Sequence, residues 1–140
     1  MKKLEVNLVD FNWAPHKSKS NQTISIAAHL EPKDIKYIWP PKENWNGISI
    51  FTDDSLTLNY INKYRNSRIK VGMIHESKSV QTTAYAGALC VESELDCILT
   101  HDSDLLNISD KFVYFGPESS LVLDEDAGIH EKTKGISMIC

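Results

Sequence analysis

The chain has 140 residues and a formal net charge of −4 at pH 7. This length suits one domain with a substantial hydrophobic core. The mildly negative charge argues against a general nucleic-acid-binding or acidic-membrane-binding surface, because both partners require a basic face. The hydrophobic fraction of 41% and the charged fraction of 24% are those of an ordinary globular protein.

The cysteines and the amino terminus indicate the cellular compartment. The chain has three cysteines, an odd number, at positions 90, 97 and 140, and their spacing matches no zinc site. We therefore predict buried or free thiols in a reducing compartment, the cytoplasm. The first residues include two lysines but no long apolar run, which predicts a first strand rather than a signal peptide. No run approaches the ~18 apolar residues of a membrane span.

Residues 1–46 are predicted to form a first strand and an irregular arm that belong to the same domain as the rest. Leu4–Val9 alternates loosely, as a strand does. The prolines of Glu31–Asn46 exclude a regular helix there, and one short strand is predicted over Ile35–Trp39. Three tryptophans occur in this arm: Trp13, Trp39 and Trp45. Exposed tryptophans can stack on sugar rings, but packing between loops is the interpretation we favour.

From residue 47 to residue 123, short apolar runs alternate with segments of helical pattern. This alternation predicts a parallel sheet with right-handed crossovers, and strands rich in Ile, Val and Leu indicate burial on both faces. The predicted fold is therefore α/β, with a Rossmann-like, doubly wound, mostly parallel sheet. The strands of this core are predicted over Ile48–Phe51, Ile69–Ile74, Cys97–Thr100 and Phe112–Phe115.

Helical segments follow the first three of these strands. Asp54 or Ser55 is predicted to cap the first helix. Its buried stripe is expected to contain Leu56, Tyr60 and Tyr64. The second helix is predicted to begin at a Ser79 cap and to end at about Leu95. Its inward face is expected to contain Ala84, Tyr85, Ala88 and Leu89.

Polar turns follow two of the predicted strands: His75-Glu76-Ser77-Lys78 and Thr100-His101-Asp102-Ser103-Asp104. Ligands of open α/β sheets bind at the carboxyl ends of the strands, so we look for chemistry in these turns. A carboxylate at a strand end, near a helix amino terminus, can be partly desolvated and act as a general base. Glu76 has this position. A solvated loop glutamate is the alternative interpretation.

The other acidic and imidazole groups allow further interpretations. Asp102 and Asp104 could hold a divalent cation that binds a nucleotide-sugar diphosphate. We favour the simpler interpretation that Asp102 caps the next helical turn and Asp104 lies in its first turn. Capping is also favoured for Asp53-Asp54. His75 and His101 could face one crevice, but two histidines are too few for zinc. Glycine-rich dinucleotide and P-loop motifs are absent.

Four segments together carry a family resemblance: WNGISIFTDDSL from Trp45, RIKVGMIHESKSV from Arg68, ELDCILTHDSDLLNISDKFVYFGPESSLV from Glu94, and EKTKGISMIC from Glu131. They resemble the amino-terminal half of bacteriophage and viral glycosyltransferases. These enzymes belong to, or lie near, the fucosyltransferase-like group, whose two Rossmann-like domains form the GT-B arrangement. The similarity covers roughly the last two thirds of the chain.

The resemblance implies a reaction and a site. Glu76 would deprotonate the acceptor hydroxyl, and the sugar carbon would be inverted. The crevice would be lined by His75, Ser77, Lys78, His101 and Asp102. The implied partners are a nucleotide-sugar donor and a carbohydrate or other hydroxyl acceptor, and no metal or other cofactor is required. No nucleic acid and no membrane span are expected, and the location would be the host cell cytoplasm if the protein is viral.

In this family the donor site is built mostly by the second domain. The chain is therefore expected to be an acceptor-side half with negligible activity on its own. Residues 124–135 would be the stub of an interdomain linker, and Ile136–Cys140 the first strand of a missing second domain. The alternative is a non-catalytic α/β module that binds a carbohydrate or a protein through its tryptophan-rich arm.

Overall fold

Six parallel strands form one sheet in the computed structural model, which describes residues 2–10 and 34–116. Their order across the sheet is β2-β1-β3-β4-β5-β6. The order of the first five is a common doubly wound arrangement. The predicted α/β class with a Rossmann-like parallel sheet is thus confirmed. The strands are β1 (Leu4–Val9), β2 (Ile35–Ile38), β3 (Ile48–Thr52), β4 (Ile69–Met73), β5 (Cys97–Thr100) and β6 (Phe112–Tyr114).

Three α-helices connect the strands from β3 onward: α1 (Leu58–Lys63), α2 (Thr82–Val91) and α3 (Ser103–Leu106). Two 3-10 turns, Asp53–Ser55 and Glu92–Glu94, precede α1 and follow α2. The strand predictions agree with the structure to within about one residue, because β-branched and aromatic runs between polar turns favour extended backbone. The helix boundaries agree less well.

The predicted cap of the first helix was wrong. Neither Asp54 nor Ser55 caps α1. Thr57 does so, with its hydroxyl accepting a hydrogen bond from the N–H of Tyr60 at 3.4 Å. Asp53 has a φ of 37°, in the left-handed region, and the chain forms a 3-10 turn through Ser55. Leu56, with a ψ of 66°, and Thr57, with a ψ of 150°, are not helical, so α1 starts only at Leu58.

The predicted start, end and inward face of the second helix also need correction. The hydroxyl of Ser79 pairs with that of Ser77 at 2.9 Å instead of capping α2, which begins at Thr82. The helix ends at Val91 rather than near Leu95, where a 3-10 turn takes over. Ala84, Tyr85 and Ala88 are buried as predicted. Leu89 is 46% exposed, because it lies about 100° around the helix from Ala88.

The main hydrophobic cluster lies on one face of the sheet, whereas Val6 and Leu8 of β1 are buried on the other face. Val9, Phe51, Gly72, Ile98 and Phe112 are register partners that form a row across five strands. The helices and turns pack on this row with buried residues that include Leu56, Ile61, Tyr64, Ala88, Leu95 and Leu105. Gly72 makes this packing possible, because a Cβ atom there would lie 3.0 Å from the side chains of both Leu56 and Leu95.

The opposite face is also apolar but less covered. Ile50, Val71 and Leu99 are only half-buried, and Ile69 and Val113 are 40% and 44% exposed. Burial on both faces was predicted from the composition of the strands. In the described part of the chain this prediction is confirmed for the helix-bearing face and holds only partly for the other.

Several predictions concern residues outside the described ranges. They include the linker at 124–135, the strand Ile136–Cys140, Trp13 and Cys140. Within the described ranges, Cys90 and Cys97 are free thiols, as predicted, although Cys90 is exposed. No helix in these ranges has the length and apolar character that crossing a membrane requires.

Candidate functional site

The carboxyl ends of the parallel strands bring the predicted site residues to one edge of the sheet. Asp10 follows β1, Asp53 follows β3, Glu76 lies three residues after β4, and Asp102 lies two residues after β5. We call this set, with the turns that contain it, the carboxyl edge. Met73, the last residue of β4, is the register partner of Leu99 in β5. The turns after these two strands therefore begin at about the same level along the strand direction.

The strand order also defines where a crevice is expected at this edge. The chain passes from β1 to β2 on one side and later continues at β3 on the other side of β1. The topological switch point therefore lies between β1 and β3. Open α/β sheets bind ligands in the crevice outside such a point. Asp10 and Asp53 follow the two strands that flank it, and their side chains are buried.

The main chain of Glu76 is held from two directions. Its N–H donates to Oδ1 of Asp53 at 3.3 Å, and the N–H of His75 donates to the same oxygen at 3.0 Å. The carbonyl of Glu76 accepts a hydrogen bond from the Tyr85 hydroxyl at 3.1 Å. The side chain is half-buried, and no hydrogen bond to its carboxylate is found in the described part of the chain. The backbone is therefore fixed by hydrogen bonds that do not involve the carboxylate.

Asp53 is the site residue that sequence reasoning missed. Its side chain is 4% exposed and accepts two main-chain hydrogen bonds from the turn after β4. Burial raises the pKa of Asp53, and the hydrogen bonds from His75 and Glu76 oppose this rise. The favoured helix-capping role was wrong, because Asp53 stabilises a turn far away in sequence. Its position directly after a buried strand was the available signal.

We expect Asp53→Asn to be more stable than the wild type at pH 7. The pKa of Asp53 is raised in the folded state, so the folded protein holds more protons than the unfolded chain above the usual value of 3.8. The stability of the wild type therefore falls as the pH rises through this window. Asparagine stays neutral, and its carbonyl oxygen can still accept both main-chain hydrogen bonds.

Urea unfolding at pH 7 and at pH 3 measures this effect. The gain from Asp53→Asn should disappear at pH 3, where aspartate is protonated in both states. Asp110→Asn, which changes an exposed aspartate, is the control and should show no comparable gain. A variant less stable than the wild type at pH 7 would mean that the ionised form of Asp53 is needed to hold the turn after β4.

Tyr85 contacts the turn after β4 and lies near the carboxylates of Asp53 and Asp102. Its ring is buried in the core. Burial raises the pKa of its hydroxyl, and the negative charges of Asp102 and Asp53 raise it further. The hydroxyl thus stays protonated and can donate to the carbonyl of Glu76. Since Tyr85 belongs to α2, this hydrogen bond ties the turn after β4 to the helix that follows it.

The remaining predicted residues of the first turn lie on its surface. His75, Ser77 and Lys78 are exposed. The Lys78 ammonium is 6.0 Å from the centre of the Tyr85 ring and 4.0 Å from a carboxylate oxygen of Asp104. The turns after β4 and β5 therefore come into contact through this pair. An exposed pair of this kind contributes little to stability, so the lysine can turn toward a ligand.

Asp102 has the capping role that the sequence analysis favoured. Its Oδ1 accepts a hydrogen bond from the N–H of Leu105 at 3.0 Å, at the start of α3. Its own N–H donates to the buried hydroxyl of Thr100 at 3.1 Å. Asp104 lies in the first turn of α3 with an exposed side chain. Among the described residues, no group of three or more His, Cys, Asp or Glu side chains could hold a metal ion.

The carboxyl edge is acidic. In the described turns after β1, β3, β4 and β5, the carboxylates are Asp10, Asp53, Asp54, Glu76, Asp102 and Asp104. The same four turns contain one lysine, Lys78. This balance favours ligands that present hydroxyl or amino groups, since carboxylates accept hydrogen bonds and repel phosphate.

These features define a Rossmann-like α/β fold with an acidic carboxyl edge and a fixed glutamate main chain. Comparison with known proteins found no matching family model, no similar curated protein and no similar solved structure.

Proposed function

We propose that this chain is the acceptor-side half of a glycosyltransferase that moves a sugar from a nucleotide-sugar donor to a hydroxyl acceptor. Its relatives would be the fucosyltransferase-like enzymes of bacteriophages and viruses, with the GT-B arrangement. The proposal is supported by the environment of Glu76 at the carboxyl edge. Asp53 and Tyr85 hydrogen-bond to its main chain, and its side chain is half-buried.

The proposed reaction needs one base on this side. The acceptor oxygen attacks the anomeric carbon of the donor while the bond from that carbon to the diphosphate oxygen breaks. Glu76 takes the proton of the acceptor hydroxyl as the new bond forms. Attack from the face opposite the leaving group inverts the anomeric carbon. A carboxylate fixed within hydrogen-bonding reach of the hydroxyl is sufficient for this step.

The acidity of the edge supports an acceptor-side role. The leaving nucleoside diphosphate needs preorganised positive charge, which contributes a large part of catalysis in such reactions. Lys78 is exposed and lies near a carboxylate, so the described residues offer little preorganised positive charge. The donor would then be bound by a second domain. We therefore expect negligible transfer by the 140 residues of this chain alone.

The predicted substrate-binding residues have matching chemistry. His75, Ser77 and Lys78 are exposed on the first turn, and His101 and Asp102 are half-buried on the second. Each can donate or accept hydrogen bonds with sugar hydroxyls. We propose that they orient the acceptor so that one of its hydroxyl groups meets Glu76. No metal takes part in this step.

The test is transfer by the full-length protein that contains this chain. The protein is incubated with a panel of nucleotide sugars and oligosaccharide acceptors, and products are identified by mass spectrometry. Proton NMR then gives the anomeric configuration of the product. We expect inversion relative to the donor. Retention of configuration, or no transfer across the panel, would remove the proposal.

A second candidate function is a non-catalytic module that binds a carbohydrate or a protein. The acidic edge favours it, because such binding requires no cationic site for a diphosphate. This candidate predicts saturable binding of oligosaccharides, with neither transfer nor hydrolysis of any nucleotide sugar. The same incubation therefore separates the two functions.

A further inference from the structure

Asp53 combines a strained backbone with a buried carboxyl group. Among the described residues, it is the only non-glycine residue with a positive φ, 37°. Its side chain is 4% exposed. Both features are unfavourable by themselves, and such strain persists where the surrounding structure over-determines the conformation, often at functional sites. Asp53 also flanks the topological switch point, so its conformation calls for a functional explanation.

The side chain of Asp53 binds the turn after β4 at the point where sheet pairing ends. The N–H of Ile74 still donates to the neighbouring strand, to the carbonyl of Leu99 at 2.9 Å. The next two N–H groups, those of His75 and Glu76, both donate to Oδ1 of Asp53. Main-chain N–H groups require partners, and here a single carboxylate oxygen serves two of them. This oxygen therefore sets the direction of the chain at Glu76.

Asp54, the next residue, contacts the far end of the same turn. Its carboxylate oxygens accept hydrogen bonds from the side chains of Thr83 at 3.3 Å and Gln81 at 3.4 Å. These two residues lie at the start of α2, where the helix dipole favours negative charge. The Asp53-Asp54 dipeptide therefore contacts both ends of the segment 75–83, and the bonds made by Asp53 are the buried ones of the two sets.

We propose that Asp53 is a positioning residue for sugar transfer, which presets the turn after β4 so that the carboxylate of Glu76 meets the reacting hydroxyl in one orientation. The inference rests on the proposed function for the role of Glu76, and it adds a residue that acts through Glu76 from another strand. A displacement of about 1 Å in a reacting group can lower a rate by about 10²-fold. The strained backbone of Asp53 then serves to preorganise Glu76.

Glycine and asparagine in place of Asp53 separate the role of the side chain from that of the backbone. Glycine adopts a positive φ without strain but has no side-chain acceptor. Asparagine tolerates this φ and keeps a carbonyl oxygen for both N–H groups. In NMR measurements, the amide protons of residues 75 and 76 should exchange with solvent about tenfold faster in Asp53→Gly than in the wild type. Asp53→Asn should retain slow exchange, and so should the control Asp54→Ala, which removes the neighbouring carboxylate.

Transfer by the full-length protein at saturating acceptor tests the link to Glu76. Asp53→Gly should lower kcat by about 10–10²-fold, and Asp53→Asn should keep most of the wild-type rate. In a Glu76→Gln background, the same glycine substitution should cause no further loss, because the base that Asp53 positions is already absent. General destabilisation of the fold would instead lower the rate in both backgrounds.

Equal rate losses in the two backgrounds would overturn the inference, as would an Asp53→Asn variant as slow as Asp53→Gly. Unprotected amides at residues 75 and 76 in the wild type would also overturn it, and this measurement does not require the glycine variant to fold. Absence of transfer by the full-length wild type would remove the proposed function together with the catalytic role of the turn. The exchange measurement would still show whether Asp53 holds this turn.

Discussion

Glutamine in place of Glu76 is expected to lower the rate of sugar transfer by about 10²–10⁴-fold, the usual contribution of a general base. Glutamine has the size of glutamate but cannot accept the proton of the acceptor hydroxyl. The fold should be unaffected, because Asp53 and Tyr85 bind the main chain of residue 76 rather than its side chain. The melting temperature of the variant should therefore match that of the wild type.

The measurement is the initial rate of transfer by the full-length protein at saturating acceptor. Glu94→Gln is the matched control, since Glu94 is an exposed glutamate in the 3-10 turn that precedes β5. This variant also replaces a glutamate by glutamine, but near the amino ends of the strands. It should transfer sugar at the wild-type rate. A Glu76→Gln variant as fast as this control would show that another group is the base.

Alanine in place of Gly87 is expected to destabilise the fold by about 2 kcal/mol or more, at the upper part of the range for overpacking. Gly87 lies inside α2, where alanine would normally gain about 1 kcal/mol in helix propensity. Here a Cβ atom would lie 2.4 Å from the carbonyl oxygen of Leu56. Because this contact is with backbone next to the Asp53–Ser55 turn, it cannot be relieved by a side-chain rotation.

Urea unfolding of the chain measures this loss. Ala86→Gly is the control, because it makes the reverse change at the neighbouring exposed position of α2. It should cost about 0.5–1 kcal/mol, the ordinary cost of glycine in a helix. If Gly87→Ala proved more stable than the wild type, the close approach of α2 to Leu56 would be wrong. The packing that holds Tyr85 over the turn after β4 would then need revision.

Local pattern was sufficient for the strands and insufficient for the helix ends. Ile69–Ile74 and Cys97–Thr100 were predicted because each is a short apolar run between polar residues. Asp102 was predicted as a cap because its partner, the N–H of Leu105, lies three residues away. At Ser79 the same reasoning was wrong, because another serine within the same turn competed for its hydroxyl.

Long-range partners explain what was missed at the candidate site. Glu76 was singled out because it follows a strand. Asp53 was not, because its hydrogen-bond partners lie more than twenty residues along the chain. The difference between Trp39 and Trp45 was equally hidden. Both are arm tryptophans in the sequence, and only the structure shows that the indole N–H of Trp39 bonds the carbonyl of Asp10, whereas that of Trp45 bonds the carbonyl of Ile48.

The sequence by itself determined the α/β class, the positions of the strands and the turns that contain Glu76 and Asp102. These properties follow from hydrophobic periodicity and local hydrogen bonding, which depend on residues a few positions apart. Only the tertiary structure decided the strand order, the switch point beside Asp10 and Asp53, and the hydrogen bonds from the turn after β4 to Asp53. The reason is physical: strand pairing and close packing join segments distant in the chain, and no local pattern specifies which segments will meet.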